Sequence, residues 1–241
     1  MTWIVVLIGL VLALVPSGER RVVADGHVDI GLRAVDGGWR LQLQDGSVDP
    51  PAWRDLSDVV LHAGGTAAAT VPADPRFRFL GEPGAPVWLL PQSQRPGVVW
   101  PGWNTRDPAL TGPVTWELHD VAGPGHFALF VSGNFGRPEV LFDSARGFPQ
   151  RTALAAGTHA HGNWAYSAPG DYVLDIEMRA GPQVGDRRSL RVHVGDGDPT
   201  SAFAAGSAGP VLVGGGVGAV VLIGGAALVL WARRTRNGRA E

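Results

Sequence analysis

HVDIGLRAVDGGWRLQLQD, residues 27–45, carries the fold class. In its second arm Trp39, Leu41 and Leu43 alternate with Arg40, Gln42 and Gln44. A period of two puts the apolar set on one face of a strand and the polar set on the other. In the first arm His27 and Asp29 share one face, with Val28 and Ile30 opposite. Asp36-Gly37-Gly38 between the arms is turn chemistry, so the stretch predicts a β-hairpin. Working outward, short runs follow: DVVLHAG, RFRFLG, PVWLLPQ, VTWELHD, HFALFVSG, EVLFDS, HAHGNWAYS, DYVLDIEMRA and RRSLRVHVG. Gly, Pro or Asp clusters separate nearly all of them, and between the two chain ends no stretch sustains a helical period. Many short strands at this spacing predict an all-β domain, an antiparallel immunoglobulin-like sandwich. Tyr172, at the start of a late strand after Pro169-Gly170, fits the tyrosine corner of such sandwiches.

The ends are of another kind. PVLVGGGVGAVVLIGGAALVLW, residues 210–231, holds no charge and is long enough for a transmembrane α-helix, which needs about 20 apolar residues. Arg233, Arg234, Arg236 and Arg239 follow it, and arginines flanking a span stay on the cytoplasmic side. At the other end Trp3 to Val15 is an apolar run of signal-peptide length, with an uncleaved N-terminal anchor as the alternative. The expected organisation is therefore a signal peptide or anchor over residues 1–18, an exported β-domain over 19–195 and a flexible stalk over 196–209. A transmembrane helix over 210–232 and a basic cytoplasmic tail over 233–241 complete it. This organisation predicts a single-pass cell-membrane protein with its domain outside and its C-terminus in the cytoplasm. Gly214 and Gly218, four apart in the span, give a spacing that permits helix self-association.

Charge and composition narrow the function. The chain has 20 basic residues, all Arg, and 22 acidic ones. The tail takes four Arg and one Glu, leaving a mildly acidic domain without the basic face that nucleic-acid binding requires. There is no cysteine, which excludes a disulfide scaffold, thiolate metal sites and Cys nucleophiles. Gly-x-Ser-x-Gly, a phosphate-binding Gly-rich loop and His-Glu-x-x-His are all missing, so no enzyme is expected.

The most distinctive local sequence is Thr158-His159-Ala160-His161-Gly162-Asn163-Trp164-Ala165-Tyr166. On one continuous strand His159, His161 and Asn163 would share a face opposite Trp164 and Tyr166. Two imidazoles so placed can ligate one metal ion, and zinc would need at least one further protein ligand. His27 and His126 are the candidates to complete it, with Asp29 and Asn163 orienting ligating imidazoles rather than ligating themselves. The bland alternative is a pair of solvent-facing histidines. His193 alternates with Val192 and Val194 and is expected to face solvent, His62 and His119 lie near strand ends with no evident partner, and all three read as structural. Trp100 and Trp103 could form a flat sugar platform, although core packing is the commoner use of Trp. Arg137, Arg146 and Arg151 could bind an anion or simply be solvated.

GPGHFALF, EVLFDSARG and AGTHAHGNWAYSAPGDYVL resemble the actinobacterial surface-anchored repeat domain, or choice-of-anchor M domain. DGHVDIG and FLGEPGAPVWLLPQSQRPGVVWPGWNT resemble longer members of that family. The resemblance runs from Asp25 to Ala180, and its most specific element is His-x-His-x-Asn-Trp followed by Pro-Gly-x-Tyr. It implies a cell-surface accessory protein or receptor that binds a ligand for an ABC importer and its substrate-binding protein. The implied ligand is a divalent metal such as zinc or manganese. The chain has no Leu-Pro-x-Thr-Gly sortase motif and no full solute-binding domain, which leaves it an accessory role. A structural or adhesive wall-associated module with no small ligand is the other reading.

Overall fold

The computed structural model describes residues 18–133, 136–181 and 185–204. The N-terminal apolar run, the segment 210–231, the arginine tail, and Gly214 and Gly218 lie outside the described residues. Among those described, no helix is long and apolar enough to cross a membrane.

The described chain is all-β. Its strands are β1 (Arg21–Val23), β2 (Gly26–Val35), β3 (Gly38–Asp45), β4 (Ala52–Asp55), β5 (Val59–Ala63), β6 (Ala68–Thr70), β7 (Pro86–Leu90) and β8 (Val99–Asn104). They continue with β9 (Val114–Ala122), β10 (Phe127–Ser132), β11 (Pro138–Asp143), β12 (Gln150–Leu154), β13 (His159–His161), β14 (Asn163–Tyr166), β15 (Gly170–Ala180) and β16 (Gly185–Val194). One sheet has the order β1-β5-β16-β15-β9-β12, a second β11-β10-β14-β7-β6, and a third β13-β8-β2-β3-β4. The predicted hairpin is β2–β3, closed by Asp36 and Gly37 with φ of 51° and 78°. Positive φ at both loop positions matches the strand twist, and Asp-Gly tolerates it.

All three sheets face one core. Ile30, Leu32, Leu41 and Leu43 of the hairpin are buried there with Trp116, Leu174, Ile176 and Leu190 of the first sheet and Phe127, Leu129, Trp164 and Tyr166 of the second. A smaller cluster covers the opposite face of the second sheet: Ala128, Phe130 and Ala165 pack with Val71, Leu80, Phe77 and Phe79. That sheet is buried on both faces, which is why HFALFV and NWAYS read as unbroken apolar runs rather than alternating ones.

Three expectations change. The sandwich is not purely antiparallel, because β2 runs parallel to β8, and β5 runs parallel to both β1 and β16. Local alternation specifies a strand but not the direction of a neighbour distant in sequence. RFRFLG is not a strand but part of a 3-10 turn, Pro75–Leu80: Pro75 opens it and Asp74 caps it by accepting from the Arg76 N–H at 2.9 Å. The start of the expected stalk is also built. Pro199–Phe203 forms a 3-10 turn with Ala202 fully buried, and Ser201 Oγ bonds Asp171 Oδ2 at 2.8 Å.

The corner at Tyr172 is present as a hydrogen bond. Its hydroxyl donates to the Ala168 carbonyl at 2.9 Å. Gly123 leaves room for the ring, since a Cβ there would stand 2.3 Å from Tyr172 Cδ1.

Candidate metal centre

β2, β8 and β13 lie side by side in the third sheet, and their register assembles the site. His27 pairs with Trp100 and Asp29 with Gly102 across β2–β8, while His159 pairs with Asn104 and His161 with Gly102 across β8–β13. Paired residues share a face, so His27, Asp29, His159 and His161 all emerge on the outer face, opposite Val28 and Ile30. Gly102 in the middle is the reason they can converge: a Cβ there would lie 2.5 Å from Asp29 Oδ1 and 2.6 Å from His161 Cε1.

Each of the four residues offers a ligand atom within 4.8 Å of all the others. His159 Nε2 stands 3.3 Å from His27 Nε2 and 2.9 Å from Asp29 Oδ2. His27 Nε2 is 3.3 Å from Asp29 Oδ1, and His161 Nε2 is 4.0 Å from the same oxygen. Tetrahedral zinc with bonds of about 2.0–2.1 Å separates its ligand atoms by about 3.3 Å. Two of these three imidazoles and the carboxylate therefore already have close to that spacing. Asp29 is almost wholly buried, at 2 % exposure, whereas His27 and His159 are open to solvent on one side. Asp29 Oδ1 and His161 Nε2 are buried without a hydrogen-bond partner among the described residues. Buried polar atoms normally have one, and a cation between them would supply it. The group can hold a metal ion.

Trp100 lies flat on the His161 ring, with centroids 3.7 Å apart and planes 12° apart, and its Nε1–H donates to the Gln92 carbonyl at 2.9 Å. The indole fixes the imidazole's orientation. Burial pushes the His161 pKa down; Asp29 and a bond to the Pro101 backbone pull it up, and positive charge on His27 or His159 adds to the downward push, which prevails. The downward shift favours the neutral form that ligates metals.

The remaining candidates lie elsewhere. His126 is not with this group: its Nε2 bonds Asp143 Oδ1 at 2.6 Å. Asn163 is also away from the imidazoles. HAHGNWAYS does not run as one strand, because the chain passes from the third sheet to the second at Gly162. A Cβ at Gly162 would meet Leu129 Cδ1 at 2.8 Å, so the crossing passes hard against the core. Asn163 begins β14, buried, with its Oδ1 accepting the Gln92 N–H at 3.0 Å. Asp29, expected to orient an imidazole, stands instead at ligand distance. Trp100 and Trp103 form no common platform: three residues apart on one strand, they point to opposite faces, and Trp103 is in the core. His193 is not solvent-facing; it is buried and its Nδ1 contacts Asp171 Oδ1 at 2.6 Å. Arg146 and Arg151 pair with separate carboxylates, Asp143 at 3.2 Å and Glu117 at 3.1 Å.

A second cluster escaped the sequence reading. Glu117, His119 and Glu177, from β9 and β15, also offer three ligand atoms within 4.8 Å. The alternation in Trp116-Glu117-Leu118-His119 was its available signal. Here guanidinium groups already hold the carboxylates: Arg151 reaches Glu117 at 3.1 Å and Arg179 reaches Glu177 at 2.6 Å. Burial alone would raise the Glu177 carboxyl, but Arg179 and His119 outweigh it and keep the pKa below the usual range. Glu117 Oε2 is buried without a hydrogen-bond partner among the described residues, but it faces the Arg151 guanidinium at 3.1 Å, so the cluster is an ion network in which cations already stand against both carboxylates.

Compared with protein-family models, with curated proteins and with solved structures, the chain gives no match.

Proposed function

We propose that this chain is a membrane-anchored surface protein whose β-domain binds a divalent metal ion through His27, Asp29, His159 and His161, as an accessory component of an ABC importer. The observation that carries the metal reading is the convergence of three imidazoles and one buried carboxylate within 4.8 Å. Neutral imidazole with one carboxylate is a donor set suited to zinc ahead of calcium or magnesium, which prefer oxygen, with manganese next. Trp100, Gly102 and burial of Asp29 pre-form the set. The importer and its substrate-binding protein as partners rest on the resemblance of the His-x-His-x-Asn-Trp and Pro-Gly-x-Tyr segments. The anchor rests on the uncharged span and its arginine flank.

The test is metal content of the full chain purified in detergent without chelator. One zinc per chain is expected, and below about one tenth in a His27→Ala, His159→Ala double variant. Zinc at 100 times its dissociation constant should stabilise the domain by about 2.7 kcal/mol, seen as a chelator-reversible rise in melting temperature. No retained metal and no thermal shift with zinc or manganese would leave the adhesive-module reading in its place.

A further inference from the structure

The face that carries the imidazoles continues along β2 into a 270 Å3 cavity whose lining includes Arg33, Gln44, Trp53, Asn104, Arg106 and Asp107. Register makes the two regions neighbours. Gln44 is paired with Asp29 across β2–β3, and Asn104 with His159 across β8–β13, so the cavity and the imidazole cluster share a wall. Gly31 forms the floor between them. A Cβ there would stand 3.0 Å from the Asn104 carbonyl and 3.4 Å from Trp53 Cη2, so the indole lies beside this gap.

The charges in the cavity are arranged for an anion. The Arg33 guanidinium sits 4.5 Å from the centroid of Trp53 and donates to Gln42 Oε1 at 3.4 Å, which holds it close to the floor. Arg106 is exposed at the rim, its backbone N–H donating to Asn104 Oδ1 at 3.0 Å. The acid of the lining is already used by the backbone: Asp107 accepts the Ala34 N–H at 3.1 Å and the Ala109 N–H at 2.9 Å. Asp107 keeps its charge, but two guanidinium groups outnumber it. Arg33 has donors beyond the one bonded to Gln42, and the Gln44 and Asn104 amide N–H groups add to them. Guanidinium matches carboxylate in shape as well as charge. Arg33 is four residues, about 13 Å, along the strand from Asp29. Its guanidinium and Gly31 lie against the same Trp53 indole, which brings the charge back to the step of about 7 Å from Asp29 to Gly31. A polycarboxylate of four to six carbons is long enough to bridge that step.

We propose that this cavity binds a small polycarboxylate of the citrate type together with the metal, one carboxylate held by Arg33 and Arg106 and another turned towards the ion. The proposal rests on the metal reading of His27, Asp29, His159 and His161. It makes the ligand a metal–carboxylate complex rather than a bare ion.

Radiolabelled citrate and zinc are the probes, applied to the full chain in detergent by equilibrium dialysis at a fixed free zinc concentration and at none. Citrate should bind at least about tenfold more tightly with zinc than without. An Arg33→Gln, Arg106→Gln double variant should weaken citrate at least about tenfold while changing zinc binding in the absence of citrate less than about twofold. Arg106→Gln alone, at an exposed position, carries the same test if the double variant misfolds. Citrate bound equally with and without zinc, or unaffected by the arginine variants, overturns the proposal and leaves the metal reading standing. Zinc that binds neither alone nor together with citrate overturns both.

Discussion

Gly102 sits beneath the imidazoles, where no side chain fits. A Cβ would lie 2.5 Å from Asp29 Oδ1, 2.6 Å from His161 Cε1 and 2.7 Å from the Ala160 carbonyl, and all three would have to move. Gly102→Ala should therefore weaken zinc at least about tenfold, measured by competition with a chromophoric chelator, because a small displacement of ligands spoils coordination geometry. Overpacking should also lower stability by about 1–3 kcal/mol. Unchanged zinc affinity in a folded variant would mean that these atoms do not act as one ligand set. His159 and His161 were legible in the sequence as a His-x-His pair on one strand, but nothing local chose His27 over His126, because the register of β2 against β8 decides it. The role of Asp29 was not: its distance to His159 depends on where β13 docks, and that is set by β8 lying between them. Gly162 was equally opaque. Only the packing of Leu129 and Trp103 around it shows that the chain changes sheets there and takes Asn163 away from the imidazoles.

At the scale of elements, Asp45 ends β3 and joins it to its neighbours. Its Oδ2 lies 2.8 Å from Arg54 Nε on β4 and 3.1 Å from Arg21 Nε on β1, so one carboxylate ties the third sheet to the first. Its Oδ1 accepts the Ser47 N–H at 3.0 Å. Burial would raise this carboxyl, but the Ser47 bonds and Arg54 outweigh it and hold its pKa below 3.8. The unfolded chain then takes up the proton first on acidification. The stabilisation is complete above pH 3.8 and drains away as pH falls from there through the lower folded-state value. Asp45→Asn should cost about 2 kcal/mol at pH 7, less than a fully buried pair because Arg21 is half open to solvent. In denaturant unfolding the gap between variant and wild type should shrink below about pH 4. An equal gap at pH 7 and pH 2.5 would show that the charge is not what binds the elements. The hairpin itself was legible down to its turn, since alternation and Asp-Gly are local. The parallel partners of β2 and β5 were not, because strands far apart in sequence choose direction through connections that carry no periodic signal.

For the whole molecule, the proposed anchor decides which side of a membrane the imidazole face would meet. On the proposed reading residues 210–231 span the membrane and the four arginines that follow stay inside, so the positive-inside rule would put the β-domain outside. The imidazole face would then sample an environment whose pH and metal content the cell does not buffer, and a site built on neutral imidazole loses its ion as acid protonates the ligands. No cysteine is needed for such a site, and the chain has none that an oxidising exterior would attack. Protease added to intact cells should remove the domain and leave a short membrane-bound C-terminal fragment, detected with an epitope on the cytoplasmic tail. Zinc should slow cleavage, because binding to the folded state lowers the population of opened forms that a protease attacks. Complete protection of the domain on intact cells, with cleavage only after lysis, would reverse the orientation. It would also place the metal face in the cytoplasm, where surface capture for an importer has no meaning.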